Sequence, residues 1–331
     1  MDHAQSPALV DPFGRRIEYL RVSVTDRCDL RCNYCMPRGF RDFEVPEHWL
    51  TTAELERIVG AFARLGTRRV RLTGGEPLVR KELPEMARAI AALPGIRDLS
   101  LSTNATRLRR HAAELHAAGV DRLNVSLDTL DPERFKAITG GRLDKVLDGL
   151  EAARDAGLGP VKINTVVQRG TNDDELDGLV DYCIERGFTL RFIETMPVGE
   201  TGREATDGYV DLAEVRRGLE ERFELLPAAM PGGGPARYVQ VAGTDVKIGF
   251  ITPLSQHFCD TCNRVRLAVD GTLHLCLGDE ATWDLRTPVR EGASDAELEE
   301  QIRAAIAIKP ERHEFNDRPE KVVRFMSMTG G

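Results

Sequence analysis

The stretch Cys28-Asp29-Leu30-Arg31-Cys32-Asn33-Tyr34-Cys35 places three thiols within eight residues, directly after an apparent β-strand. Three thiolates on one short loop can hold three corners of an iron–sulfur cube and leave the fourth iron open for chemistry. A structural zinc site takes four protein ligands, whereas the histidine closest to this loop, His48, lies well down the chain. The stretch therefore predicts an iron–sulfur cluster, with a structural metal knuckle as the alternative.

Outward from this loop, short β-rich runs recur, and each is followed by a helical pattern. The predicted strands are 19–24, 69–73, 98–102, 122–127, 161–167 and 189–193. The first helix begins with the capping box Thr51-x-x-Glu54, in which two side chains satisfy the free backbone N–H groups. Further helices are predicted at 80–93, 107–118, 145–156 and 173–186. Six strand–helix units in a row require parallel strands joined by crossovers, in either an open doubly wound sheet or a barrel, complete or partial.

The residues with chemical potential follow the predicted strands. They are the cysteine loop, Gly74-Gly75-Glu76-Pro77, Thr103-Asn104, Ser126 to Asp128, and Glu194 to Met196. The carboxyl ends of parallel strands meet at one edge of the sheet, and ligands bind there in open sheets and in barrels. Because such residues follow the strand in five of the units, the sequence predicts one site at that edge.

The pattern changes after about residue 200. A glycine-rich loop, 231–235, precedes paired strands at 237–241 and 246–251, and a hairpin at 264–269 and 272–277 surrounds Asp270-Gly271. A helix is predicted at 296–308. This part carries a second trio, Cys259, Cys262 and Cys276, for which His257 or His274 could complete a zinc site instead. We therefore expect residues 1–200 to form the first domain and residues 201–331 a small β-rich appendage.

The register of this hairpin decides which side chains share a face. A two-residue turn at Asp270-Gly271 pairs Cys276 with Val265 and turns Cys276 away from Arg264 and Arg266. Only a bulge or a strong twist would bring all of them around one pocket.

Composition limits the class of protein. The net charge of −8 argues against a protein that coats nucleic acid. No apolar run of about 18 residues predicts a membrane span, and residues 1–10 lack the pattern of a secretory signal. We expect a cytoplasmic protein with no nucleic-acid or membrane partner, a compartment in which clustered cysteines bind metal or catalyse before they form disulfides.

Cys28-x3-Cys32-x2-Cys35, with an aromatic residue at Tyr34, resembles the signature of radical S-adenosylmethionine enzymes. The resemblance implies an α/β fold, a partial (β/α)6 barrel, in which the three cysteines bind a [4Fe-4S] cluster. The open iron takes the amine and carboxylate of S-adenosylmethionine, and reductive cleavage yields a 5′-deoxyadenosyl radical. The cofactor-binding residues that the resemblance implies are Tyr34, Gly74, Gly75, Glu76, Ser126 and Met196.

Two further stretches, Phe258-Cys-Asp-Thr-Cys-Asn-Arg-Val-Arg266 and Leu273-His-Leu-Cys276, resemble the GTP 3′,8-cyclase family of molybdenum cofactor biosynthesis. The resemblance implies a second [4Fe-4S] cluster on Cys259, Cys262 and Cys276, which binds the guanine edge. GTP would be converted to 3′,8-cyclo-7,8-dihydro-GTP and handed over to cyclic pyranopterin monophosphate synthase. A homodimer is left open. In this family the Gly330-Gly331 tail reaches the active site.

Residue chemistry supports a triphosphate substrate. Arg21, Arg71 and Arg191 lie inside predicted buried strands, where a charge needs a partner or a ligand. Guanidinium groups bind phosphate bidentately, and an ordinary salt bridge is the alternative for each. Together with the resemblance, the expected substrate-binding residues are Arg21, Arg71, Ser102, Lys162, Arg191, Arg264 and Arg266.

Two other readings remain open at this point. A second kind of two-cluster radical S-adenosylmethionine enzyme modifies peptides, although only seven cysteines and this set of arginines count against it. A non-enzymatic zinc or redox-sensor protein would bind zinc instead of iron. Cys183, within a helical pattern, is predicted to be a free core cysteine.

Overall fold

The computed structural model describes residues 8–330. Its strands, β1 to β12 in chain order, are Tyr19–Ser23, Arg69–Thr73, Asp98–Thr103, Arg122–Ser126, Val161–Val166, Thr189–Ile193, Leu225–Ala228, Arg237–Val241, Lys247–Ile251, Arg264–Leu267, Thr272–His274 and Thr282–Asp284. Its helices, α1 to α11, are Thr52–Arg64, Leu83–Ala91, Ala112–Ala117, Pro132–Thr139, Leu143–Asp155, Leu176–Arg186, Gly199–Ala205, Leu212–Glu220, Arg286–Arg290, Asp295–Ala307 and Met326–Thr329. All the predicted strands are present, with shifts of up to three residues at their ends.

The strands of the repeat form a parallel sheet in chain order from β1 to β6. Apolar residues of these strands and of the helices between them make one large buried core. The predicted capping box begins α1, and Gly66, Gly119, Gly157 and Gly187 adopt positive φ after their helices, which glycine allows without strain. The α/β fold class with six strand–helix units is confirmed.

The C-terminal strands extend this same sheet at both edges. The order is β12-β11-β10-β1-β2-β3-β4-β5-β6-β9-β8-β7; β10 runs parallel to β1, and β9 runs parallel to β6. The predicted C-terminal β-rich extension is thus present, and its strands continue the sheet of the repeat. Each edge strand of the repeat thereby gains a partner for its backbone groups.

The register predicted for the hairpin of β10 and β11 was wrong. Arg266 pairs with His274 and Leu267 with Leu273, and the Ala268 N–H bonds the Thr272 carbonyl oxygen at 2.8 Å. The turn thus has three residues and ends in Gly271 with φ of 86°, the usual place for a left-handed glycine bulge. A shift of one residue turns every side chain to the other face, so Cys276 faces the same side as Arg264 and Arg266.

Two helical predictions were too long. The helix predicted from residue 80 begins at Leu83, because Pro77 and Pro84 each suit only the first turn of a helix. The helix predicted from residue 107 is a short 3₁₀ turn, Leu108–Arg110, followed by α3. Cys183 is fully buried in α6, as expected. Within residues 8–330, we find no helix with the length and apolarity needed to cross a membrane.

Candidate active site

Two cavities meet on the inner face of the sheet. The first, of about 1140 Å³, contains the first cysteine trio and the ends of several strands; the second, of about 970 Å³, contains the second trio. Asn164, Ile193 and Met196 line both cavities. The two trios, more than two hundred residues apart in the chain, thus face one continuous space.

The first cysteine loop is held by α4 and by the end of β3. The backbone N–H groups of Arg31 and Asn33 bond the carbonyl oxygens of Thr139 and Ile138 at 2.8 and 2.9 Å. The Cys28 sulfur accepts from the Leu30 N–H at 3.3 Å and from the Asn104 amide at 3.8 Å. N–H groups that point at a sulfur stabilise its thiolate form, so the loop is prepared for a metal ligand.

The thiols of this trio need a positive charge to ionise. Burial raises the pKa of Cys28 and of Cys32 well above the usual value and that of Cys35 to about 12. A bound metal removes such protons outright.

The glycines after β2 let two loops touch. A Cβ atom on Gly74 would lie 2.2 Å from the Thr25 carbonyl oxygen, and one on Gly75 would lie 2.4 Å from that of Arg27. The N–H groups of Gly75 and Glu76 bond the carbonyl oxygens of Thr25 and Arg27, both at 2.8 Å. Both glycines line the first cavity, and their bare backbone also fixes the start of the cysteine loop.

We expect Gly75→Ala to destabilise the protein by about 1–3 kcal/mol, because overpacking against a backbone atom forces the loop to move. Thermal unfolding would report a Tm lower by a few degrees. Gly178→Ala in α6 is the matched control, since its Cβ would meet no atom within 4 Å. A Gly75→Ala variant as stable as this control would contradict the close contact.

Glu76 lies beside the cavity with its carboxylate already engaged. It accepts from Thr103 Oγ1 at 2.7 Å, from the Asn104 N–H at 2.6 Å and from the Leu78 N–H at 3.0 Å. Burial raises the pKa of Glu76 to about 7 in spite of these bonds. The side chain thus ties the ends of β2 and β3 together and orients Asn104 toward Cys28.

The other predicted cofactor-binding residues do line the first cavity. Tyr34, Ser126 and Met196 are all at its wall. The Tyr34 hydroxyl donates to Asp128 Oδ2 at 2.7 Å, and the Val166 N–H donates to Oδ1 at 2.9 Å. Burial raises the pKa of Asp128 to about 6. Asp128 therefore holds the tyrosine of the cysteine motif against the end of β5.

The second trio lies at the edge formed by β10 and β11. The Arg15 guanidinium donates to the Cys259 carbonyl oxygen at 2.9 Å. Burial works to raise the pKa of Cys262, but Arg264 and Lys309 outweigh it and hold that pKa below the usual value. A lowered pKa favours the thiolate that a metal needs. His274, in contrast, faces the cations, and burial lowers its pKa to about 3.

One other group of possible ligands shares Cys259. His257, Cys259 and His313 bring three ligand atoms within 4.8 Å of one another, the only such group among residues 8–330. Nε2 of His313 is buried and has no hydrogen-bond partner in the described structure. This arrangement suits a zinc ion, so it keeps the zinc alternative open for the second trio.

A row of arginines crosses the inner face. Arg21 lies between Arg266 of β10 and Arg71 of β2 in register, so their backbones are about 5 Å apart. Burial lowers the pKa of Arg21, Arg71 and Arg266. Repulsion from Arg266 and Arg71 lowers that of Arg21 further, and repulsion from Arg264 and Arg324 does the same for Arg266. Burial also lowers the pKa of Arg191 to about 10, with Arg71 adding to it.

Within residues 8–330, none of the predicted substrate-binding cations forms a salt bridge. Every ion pair of the described structure involves other residues. The Nε atoms of Arg21, Arg191 and Arg264 are buried without a hydrogen-bond partner. Buried charge without a counter-charge is costly, so a polyanion bound in this cavity would stabilise the buried arginines.

The predicted substrate-binding residues occupy three places. Arg21, Arg71, Arg191, Arg264 and Arg266 line the second cavity, Ser102 lines the first, and Lys162 lies in a smaller chamber beyond Arg71 and Arg191. Sequence reasoning missed Asn164, which joins the cavities and whose buried Oδ1 has no partner in the described structure. The signal was present, because residues two apart on a strand share a face and Asn164 follows Lys162 by two.

The C-terminal tail packs beside both cavities. Arg266 donates to the carbonyl oxygens of Gly330 and Thr329, and a Cβ on Gly330 would overlap Thr73. Met326 lines the first cavity. The prediction for the Gly330-Gly331 tail is thus supported for Gly330, while Gly331 lies outside the described residues.

Comparisons with known proteins agree with this architecture. A family model described as Radical SAM superfamily matches residues 22–183, and one described as Molybdenum Cofactor Synthesis C matches residues 188–315. In a solved structure, SuiB of Streptococcus suis bound to S-adenosylmethionine, the fold is similar, with a TM-score of 0.59 and 19% identity. The match covers 79% of this chain but only 60% of that protein, so it supports the fold alone.

Curated relatives are similar over nearly the whole chain. The GTP 3′,8-cyclase of Paracoccus denitrificans is 52% identical over 331 residues, which cover 98% of this chain and 96% of the relative. That of Hydrogenovibrio crunogenus is 49% identical and covers 98% and 100%. GTP 3′,8-cyclase 1 of Pseudomonas aeruginosa is 50% identical and covers 97% and 99%.

Proposed function

The chain belongs to the GTP 3′,8-cyclase family, and we therefore propose that it converts GTP to 3′,8-cyclo-7,8-dihydro-GTP, the first step of molybdenum cofactor biosynthesis. One observation carries the proposal. A cavity with five arginines that make no salt bridge within the described residues adjoins a cavity with a three-cysteine loop, and Asn164, Ile193 and Met196 line both.

Cys28, Cys32 and Cys35 would hold the [4Fe-4S] cluster that radical S-adenosylmethionine enzymes use. When bound, this cluster supplies the electron for cleavage of S-adenosylmethionine and hence the radical that removes hydrogen from the ribose of GTP. The chain itself supplies the rest. Gly74 and Gly75 offer bare backbone at the cavity wall, Tyr34 is fixed by Asp128, and the tail with Met326 covers the space. Shielding from water protects reactive species from side reactions.

We propose a second [4Fe-4S] cluster on Cys259, Cys262 and Cys276. The three-residue turn supports it, since the resulting register turns Cys276 toward the cavity that Cys259 and Cys262 line. Zinc on His257, Cys259 and His313 is the competing occupant. Iron and zinc analysis of anaerobically prepared protein separates the two, because two clusters hold about eight irons per chain; one zinc with about four irons would overturn the second cluster.

The arginine row suits the triphosphate of GTP. Three guanidinium groups in register present planar donor forks to the phosphate oxygens, and the charge they accumulate is balanced only when a polyanion enters. Asn164 and Met196, between the cavities, are placed to contact the part of the substrate that faces S-adenosylmethionine. Specificity and radical generation thus come from two adjoining cavities.

The lowered pKa of Lys162 predicts that GTP binding depends on pH. Burial lowers its pKa to about 7, and Arg191, Arg122 and Arg71 add to the shift while Asp98 opposes it. A bound triphosphate favours the protonated amine, so the pKa is higher in the complex. Affinity should therefore be constant below about pH 7 and fall above it, by up to about tenfold per pH unit.

Equilibrium dialysis of GTP between pH 6.5 and 8.5 measures this dependence. Lys162→Gln removes the titrating amine and should flatten the curve while weakening binding at pH 7. Affinity that rises with pH, or a slope that survives in Lys162→Gln, would contradict a role for this lysine in binding phosphate.

The direct test of the proposed function is anaerobic incubation with S-adenosylmethionine, a reductant and GTP. Formation of 5′-deoxyadenosine together with a cyclised guanine product is the expected result. Cleavage of S-adenosylmethionine that GTP does not stimulate, with no cyclised product, would count against it.

Three finer expectations remain predictions. They are a boundary near residue 200 between the barrel and its extension, a homodimer, and a hand-over of the product to cyclic pyranopterin monophosphate synthase. Light scattering on the purified protein measures the mass of the assembly. A cross-linking experiment with and without the pathway's next enzyme tests the hand-over.

A further inference from the structure

A small chamber continues from the second cavity past the arginine row. Its volume is about 370 Å³, and it shares Arg71, Arg191 and Gly234 with that cavity. The loop 230–236 forms one side, and this loop lies in the part of the sequence to which no motif could be assigned. The remaining wall is formed by Tyr19, Arg122, Lys162 and Tyr238.

Lys162 lacks an anionic partner in this chamber. Its side chain is buried, and its ammonium lies 3.1 Å from the Met230 sulfur. A thioether is a weak acceptor, and no carboxylate within residues 8–330 pairs with this amine. Arg122 differs, because it forms an ion pair with Asp98. The chamber thus contains one buried amine that has no carboxylate partner among the described residues and that a bound anion would hold in its protonated form.

Tyr19 contributes an unused hydrogen-bond donor. The residue is 1% exposed, and its hydroxyl has no partner in the described structure. The Arg71 guanidinium lies 5.4 Å from the centre of the ring. Burial works to raise the pKa of Tyr19, but Arg71, Arg21 and Arg122 outweigh it, so that the pKa is lowered. A buried hydroxyl without a partner is costly, and no carboxylate competes for it here.

The glycine-rich loop packs directly on this tyrosine. A Cβ on Gly233 would lie 3.3 Å from Tyr19 Cδ1 and 3.1 Å from the Asn263 amide nitrogen, whereas a Cβ on Gly234 would meet no atom within 4 Å. Gly232 adopts a φ of 147°, which favours glycine. The loop therefore packs against the ring with little room for a side chain at Gly233.

We propose that this chamber binds the terminal phosphate of the nucleoside triphosphate, with Tyr19 as hydrogen-bond donor, Lys162 as counter-charge and the loop 230–236 as its wall. Tyr19 then makes the site prefer a triphosphate to a diphosphate. The inference rests on GTP as the substrate, the proposed function above. It adds Tyr19 as a residue that distinguishes a triphosphate from a diphosphate, and it gives the glycine-rich loop a role as the wall of the phosphate chamber.

Tyr19→Phe tests the donor without changing the ring. We expect GTP to bind about tenfold more weakly, which corresponds to about 1.4 kcal/mol, and GDP affinity to change less than twofold. In turnover, the KM for GTP should rise while kcat stays within about twofold. Tyr182→Phe is the matched control, because Tyr182 lies on α6 outside all three cavities.

Isothermal titration of the full-length, anaerobically prepared protein with GTP and with GDP gives the required affinities. Gly233→Ala should disturb the ring and weaken GTP selectively, whereas Gly234→Ala should not. The proposed role of the chamber would be overturned if Tyr19→Phe lost equal affinity for GTP and for GDP, or if the wild-type protein bound the two nucleotides equally well. Neither outcome would contradict the cyclase activity. If wild-type protein formed no cyclised product from GTP, the proposed function itself would fail.

Discussion

Replacing Cys28 by alanine is expected to reduce 5′-deoxyadenosine formation to background. The iron–sulfur cluster needs three thiolate ligands from this loop, and the variant keeps only two. The groups that contact the Cys28 sulfur, the Leu30 N–H and the Asn104 amide, are hydrogen-bond donors and cannot replace it as a ligand. Iron per chain should fall by roughly half if both clusters are present. Liquid chromatography of anaerobic reactions and iron analysis measure the two effects.

Cys183→Ala is the matched control for this experiment. Its thiol is fully buried in α6 and lies outside both cavities, so iron content and 5′-deoxyadenosine formation should stay at the wild-type level. Normal cleavage of S-adenosylmethionine by Cys28→Ala would remove the first trio from the mechanism and with it the assignment of the radical source.

Arg266→Ala is the second change with a large expected effect. Arg266 is 5% exposed, lies beside Arg21 in register and binds the tail carbonyl oxygens. Loss of a buried charged contact typically costs 2–5 kcal/mol, so the KM for GTP should rise roughly a hundredfold. Affinity for S-adenosylmethionine should change far less, because the arginine lines the other cavity.

Two further variants separate charge from tail docking. Arg266→Lys keeps the charge but loses the planar fork, and an intermediate KM is expected. A chain truncated before Thr329 loses both tail contacts of Arg266 and keeps the arginine; if it reproduces the full effect of Arg266→Ala, the arginine acts by docking the tail. Equal losses in the use of GTP and in binding of S-adenosylmethionine would argue against a substrate role. Arg217→Ala, exposed on α8, is the matched surface control.

The sequence predicted the repeat and the ligands because both depend on short spacings. The periods of strands and helices place strands within a few residues, and the cysteine spacing identifies a loop that can hold a cluster. Residues on alternate positions of one strand share a face, which is why Arg264 and Arg266 could be grouped from the sequence and why Asn164 could have been added to Lys162.

What failed depended on contacts between distant parts of the chain. The turn at Gly271 has three residues rather than two, and that single residue reverses the face of Cys276. The β-rich extension was predicted without its place in the sheet, in which β9 and β10 pair with β6 and β1. No local pattern reports which edge a strand will join, since the backbone hydrogen bonds are the same for each choice.

By itself, the sequence determined the first cysteine loop, the six strand–helix units and a set of arginines inside strands, since residue type and period are local properties. Only the tertiary structure decided that both trios face one space, that Arg266, Arg21 and Arg71 lie in one row, and that Tyr19 lies under a glycine-rich loop. The physical reason is register. Which side chains meet across a sheet depends on pairings between residues up to 245 positions apart in the chain, as Tyr19 and Arg264 are, and a shift of one residue reverses the answer.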